Sequence, residues 1–88
     1  LLEPMMRMEV VTPEPYMGDV IGYISTCRGE IKQVEPRDEL RVLRAEAPLA
    51  ELFGFSSRLR SITQGRGTYS MEPYRYRPAP PGVLESAG

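Results

Sequence analysis

The stretch Leu49–Tyr76, LAELFGFSSRLRSITQGRGTYSMEPYRY, decides how the rest of the chain is read. Leu49, Leu52 and Phe53 fall at i, i+3 and i+4, and Leu59 and Ile62 carry the apolar stripe onward, so the spacing predicts a helix. The helix breaks at Thr63-Gln64-Gly65-Arg66-Gly67, where two glycines open backbone angles that side chains resist. Beyond the break, Tyr69 and Met71 alternate with Thr68, Ser70 and Glu72, the period of a strand. A helix therefore feeds a strand through a glycine-rich turn, with Arg58, Arg60 and Arg66 gathered about it. Guanidinium groups beside exposed backbone are what a protein offers to phosphate.

Working outward, Pro4–Pro13 reads as a strand in which Met6, Met8 and Val10 alternate with Arg7 and Glu9. Glu14–Arg28 reads as a helix with Pro15 in its first turn and one apolar stripe of Met17, Val20, Ile21, Ile24 and Cys27. Gly29 is placed to stop it. Gly18, Gly22, Ser25 and Gly29 form a second, nearly bare stripe. Close packing inside the domain is the favoured reason; close approach of an external backbone is the other. Glu30–Glu35 is a short strand, Glu35–Glu39 a turn around Pro36, and Leu40–Ala47 a third strand. In that strand Leu43, Ala45 and Ala47 face one way and Val42, Arg44 and Glu46 the other, as on a sheet with one wet face.

The order is βαββαβ, the ferredoxin-like pattern of the α+β class. Right-handed crossovers then place both helices on one face of a four-stranded antiparallel sheet. Pro73 fits a last strand lying at the edge. Residues 1–77 are expected to form one domain, and residues 78–88, rich in proline and small residues, a flexible tail.

The 88 residues carry a formal net charge of -1, which by itself argues against a nucleic-acid partner. Ten of the eleven cations are arginine, however, and arginine forks onto phosphate and stacks on bases. A genome's composition would account for the same preference. With one cysteine and no histidine, the chain can form no internal disulfide, no zinc site and no histidine-based nucleophile. No phosphate-binding GxxxxGK[ST] is present, and no apolar run is long enough to span a membrane. Gly65-Arg66-Gly67 follows a helix and precedes a strand, the reverse of a dinucleotide loop. The first and third strands hold no aromatic, so any RNA contact is expected from loops and helix ends. Leu1-Leu2-Glu3-Pro4 reads as the middle of a longer protein.

Specific runs carry a resemblance: Tyr16-Met17-Gly18-Asp19-Val20-Ile21-Gly22, Glu35-Pro36-Arg37, Pro48-Leu49-Ala50-Glu51, and Leu59-Arg60-Ser61 with Thr63-Gln64-Gly65-Arg66-Gly67. In these the sequence resembles the C-terminal, fifth domain of elongation factor G, over roughly Leu2–Tyr76. The resemblance implies a ferredoxin-like fold and a non-catalytic ribosome-docking role. The whole protein would be a cytoplasmic, ribosome-dependent GTPase that promotes tRNA and mRNA translocation, with GTP and magnesium held in an N-terminal domain outside this chain. Implied partners are large-subunit rRNA near the stalk base and the sarcin–ricin loop, stalk-base proteins, and the factor's other domains. Cys27, Asp38 and Pro73 stand where the family commonly has arginine, glycine and phenylalanine, which points to a divergent paralogue. The expected rRNA contacts are Arg28, Arg60, Gln64 and Arg66, matched by motif, and Lys32 and Arg58, chosen by charge. An internal alternative for Arg60 is an ion pair with Glu51 or Glu72. The rival reading of the whole is a protein–protein or regulatory module that pairs through its sheet edge.

Overall fold

The computed structural model describes residues 2–78; Leu1 and residues 79–88, and with them nearly all of the expected tail, lie outside the described residues. Four strands, β1 (Leu2–Pro13), β2 (Glu30–Arg37), β3 (Leu40–Pro48) and β4 (Thr68–Pro78), form one sheet in the order β2-β3-β1-β4. Every neighbouring pair is antiparallel. Helices α1 (Met17–Thr26) and α2 (Phe55–Thr63) complete the expected βαββαβ fold. β4 lies at an edge, where the missing N–H of Pro73 costs least. The strand runs two residues further than its alternation implied, because Arg77 and Pro78 still pair with Glu3 and Leu2.

The alternation of β1 is realised in burial. Met6, Met8 and Val10 enter a core with Leu43, Ala45 and Ala47 of β3, Val20, Ile24 and Cys27 of α1, and Phe55 and Leu59 of α2. Phe55 ties three elements together. Its ring stacks on Tyr23 of α1, with centroids 5.5 Å apart, and meets Tyr69 of β4 edge-on at 5.1 Å. Such pairs add to simple area burial through their quadrupoles. Between Met5 and Met6 the β1–β4 register slips by one residue, leaving Tyr74 unmatched.

Both helices start later than their apolar spacing indicated. Glu14–Tyr16 is a single 3-10 turn before α1. Leu49–Glu51 is another, and the chain breaks between it and α2. The break is made by Gly54, at φ 77, a left-handed conformation that ends any helical run. The consequence falls on Phe53: read by spacing as part of the buried stripe, it is 83% exposed, while Phe55 takes the core position.

α1 ends in a Schellman arrangement, with Gly29 N–H donating to Ile24 O at 3.0 Å and Arg28 N–H to Ser25 O at 3.1 Å. The left-handed residue is Arg28, at φ 57, and not the expected glycine. Gly29 serves differently, since a Cβ there would lie 2.5 Å from the Ile24 side chain. Gly18 and Gly22 overturn the packing explanation of the bare stripe: an added Cβ at either has no neighbour within 4 Å, and both face solvent. Asp38, at φ 55, also adopts the left-handed conformation, in the β2–β3 turn.

The different roles of the two phenylalanines can be measured. Phe55→Ala is expected to cost about 3–5 kcal/mol. Phe53→Ala is expected to stay within about 0.5 kcal/mol of the parent chain. Denaturant unfolding with midpoints compared at equal slope checks both.

Candidate nucleic-acid interface

The candidate residues do not gather in one place. Strand register fixes the geometry: Thr68 and Tyr69, just after α2, pair with Val11 and Val10 near the end of β1, while Glu3, beside its start, meets Arg28 after α1. Gln64 and Arg66 therefore lie at one end of a molecule 42 Å long, and Arg28 at the other.

Arg28 is committed internally. Its Nη2 donates to Glu3 Oε1 at 2.7 Å and its Nη1 to Glu3 Oε2 at 3.2 Å, a bidentate pair. The Glu3 side chain is 2% exposed, and Arg77 Nε stands 3.6 Å from its Oε2. The hydrogen bonds from Arg28 hold the Glu3 carboxyl below its ordinary range, against burial and with help from the charges of Arg28 and Arg77. A guanidinium that leaves Glu3 strands a buried carboxylate, so this pair holds Arg28 to the start of β1. Lys32 also has an internal partner. It pairs with Glu30 at 3.1 Å, at the register slip of β2, and shares a recess of the sheet with Arg7 and Arg44, away from the end of α1.

The remaining cations sort sharply. On the wet sheet face, Arg7 lies 3.7 Å from Glu72, Arg44 lies 3.7 Å from Glu9 and 3.5 Å from Glu35, and Arg75 lies 3.8 Å from Glu46. Arg37 pairs with Glu35 at 3.3 Å. Arg41 donates to the carbonyls of Asp38 and Leu40. Among the described residues only Arg58, Arg60 and Arg66 have neither a carboxylate within 4.0 Å nor a carbonyl partner for the side chain. All three are exposed, and all three belong to α2 and the turn that follows it. The alternative pairing of Arg60 with Glu51 or Glu72 does not form. Arg58 instead stands over the Tyr23 ring at 5.6 Å. Arg66 lines a cleft with Tyr16, Glu14, Glu39 and Arg41 without bonding to either carboxylate.

The sequence carried a signal that charge counting missed. From Leu52 to Met71 it contains no Asp or Glu, so nothing local can neutralise these three arginines.

The turn after α2 is fixed by backbone geometry and by Thr63. Gln64 and Gly65 are both left-handed, at φ 54 and 82, and Gly65 N–H donates to Arg60 O at 2.8 Å. Thr63, fully buried, donates through its hydroxyl to Leu59 O at 2.7 Å and accepts from Gly67 N–H at 2.8 Å. A Cβ on Gly67 would come within 2.9 Å of that hydroxyl, so glycine is required there by close approach. Gln64 is exposed, and its side chain makes no hydrogen bond among the described residues to offset its backbone conformation. The left-handed Gln64 closes the C-terminus of α2 through the backbone bond from Gly65 to Arg60, as Arg28 closes α1.

This arrangement defines a ferredoxin-like domain with three exposed, unpaired arginines on α2 and the turn that follows it. Comparison with known proteins assigns its family. The family described as "Elongation factor G C-terminus" matches residues 1–87. Elongation factor G from Dehalococcoides mccartyi, strains BAV1 and CBDB1, is 52% identical over 92 residues, covering 100% of this chain and 13% of each relative. A crystal structure of a Thermus thermophilus protein superposes with a TM-score of 0.90 at 35% identity, covering 97% of this chain and 13% of that one. The chain belongs to the elongation factor G C-terminal family, and spans about 13% of the length of the relatives it matches.

Two variants probe the site's construction. Glu3 has a lowered folded pKa, so its stabilisation is complete above the ordinary value of 4.5 and is lost as pH falls through the folded value. Glu3→Gln is therefore expected to destabilise the domain at pH 7, with the gap to the parent chain starting to close as pH falls below 4.5 and closing through the lower folded value, as read by urea midpoints across pH. Gln64→Gly relieves a left-handed side-chained residue and is expected to gain about 0.5–1 kcal/mol. Thermal unfolding would show it.

Proposed function

We propose that this chain is a ribosome-docking module of an elongation factor G-like GTPase, and that α2 and its following turn contact large-subunit rRNA. The single observation that carries the reading is the allocation of charge. Every other cation among the described residues is held by a carboxylate or a carbonyl, while Arg58, Arg60 and Arg66 are exposed and unpaired on one element. A polyanion is attracted most to cations that have no carboxylate partner. Phosphate contacts of this kind give position and affinity without reading sequence. Gln64, held outward beside them, adds a neutral hydrogen-bonding group.

The family supports the partner. In this proposal the whole protein couples GTP hydrolysis to movement of tRNA and mRNA in the cytoplasm. GTP and magnesium belong to a part of the factor beyond this chain, and no residue here is assigned to them. Docking near the stalk base and the sarcin–ricin loop is the expected location. The bare outer stripe of α1, Gly18, Gly22 and Ser25, lies on the helix layer and admits close approach.

Binding of the chain to isolated large ribosomal subunits, titrated with salt, tests the reading. Arg58→Ala, Arg60→Ala and Arg66→Ala are each expected to lower the slope of log K against log salt by roughly 0.7–0.9. Lys32→Ala and Arg7→Ala, on the neutralised sheet face, are expected to leave it unchanged. Equal slopes for all five variants would refute the assignment.

A further inference from the structure

Near the start of the segment Leu52–Met71 stands an exposed aromatic residue that belongs neither to the core nor to the charged edge. Phe53 is 83% exposed, more than any other large hydrophobic residue of the described chain. It is not loosely placed. Leu52 on one side is 7% exposed and Phe55 on the other 1%, so both neighbours are anchored in the core. Backbone bonds close the turn around it: Leu52 N–H to Leu49 O at 3.0 Å, Phe55 N–H to Leu52 O at 3.1 Å, and Arg58 N–H to Gly54 O at 3.1 Å. Gly54, left-handed, sets the direction in which the chain leaves Phe53. The ring is thus held out in water by a turn that is itself fixed. An apolar ring gains by removal from water, and pre-organisation lowers the entropic cost of using it.

We propose that Phe53 is a stacking platform for an unstacked base in a single-stranded loop of RNA. The occupant follows from the surroundings. Phe53 lies two residues after Glu51, near the start of the stretch Leu52–Met71 that holds no Asp or Glu and in which Arg58, one turn into α2, is unneutralised. Aromatic faces accept unpaired bases, and neighbouring guanidinium groups hold the flanking phosphates. An apolar protein pocket would take the same ring but has no use for an uncompensated positive edge. This inference rests on the reading of α2 as the RNA-facing element and adds to it a contact that carries no charge.

The experiment measures binding of the chain to isolated large ribosomal subunits with Phe53→Ala, Phe53→Leu and Phe53→Trp, across a salt titration. Thermal unfolding of each variant establishes that the exposed substitution leaves the fold intact. Stacking requires that Ala and Leu both weaken binding by roughly tenfold or more, while Trp stays within about threefold of the parent chain. The salt slope should be the same in all of them, because no phosphate contact is removed. Leu binding as well as Phe would mean burial in an apolar protein pocket and would overturn the proposal, as would Ala binding as well as Phe or any other ranking. The two readings fail separately. If the arginine variants keep the full slope, the rRNA-docking assignment falls and this inference with it. If they lose slope while Phe53→Ala binds normally, only the stacking role is lost.

Discussion

A carboxylate taken out of water has to be matched, and Glu3 is matched by two guanidinium groups. That requirement organises the lower half of the domain. The bidentate bond to Arg28 fixes where α1 ends, and it offsets the left-handed backbone that Arg28 adopts in place of a glycine. The approach of Arg77 holds the far end of β4 to the start of β1. Three elements distant in sequence are joined at one buried charge, so the helix layer cannot slide over the sheet without exposing an unpaired ion. Phe55 does the corresponding work at the other helix, joining α1, α2 and β4 through aromatic contacts.

The same accounting of charge separates the two faces. The sheet face is nearly self-neutral, with cross-strand partners at 3.5–3.8 Å. Pairs this exposed add little stability, on the order of 0–1 kcal/mol each. Their larger effect is on what the face attracts: a surface whose cations already have carboxylate neighbours offers little to a polyanion. The α2 edge is the opposite case, with a net charge of -1 for the whole chain concealing a local excess of three arginines. The left-handed residues follow a related division. Arg28 and Gln64 both close a helix C-terminus, but only Arg28 also has a side-chain partner, Glu3.

What could be read beforehand was whatever depended on near neighbours along the chain. The alternation in β1, the stripe of α1, the edge position implied by Pro73 and the turn at Gln64–Gly67 were all legible, because period and glycine placement report local geometry. Phe53 was misread because its spacing is helical, while the left-handed Gly54 that interrupts the helix is silent in a hydrophobic pattern. The Gly18–Gly22 stripe was assigned inward, since the sequence gives a glycine's position on a helix but not what lies opposite. Among the candidate contacts, Arg28 and Lys32 have carboxylate partners within the domain, whereas Arg58, Arg60 and Arg66 have none among the described residues, a difference that residue type and nearness to a turn could not give.

By itself, then, the sequence determined the class of fold, the family resemblance, the order of its elements and the absence of histidine, because these follow from composition and short-range periodicity. Which cations remain free is a property of distance, and distance between Arg28 and Glu3, or between Arg44 and Glu9, is set by the register of strands and the path of the chain in space. Only the tertiary structure could pair those charges, and by pairing them it decided which arginines were left without an internal partner.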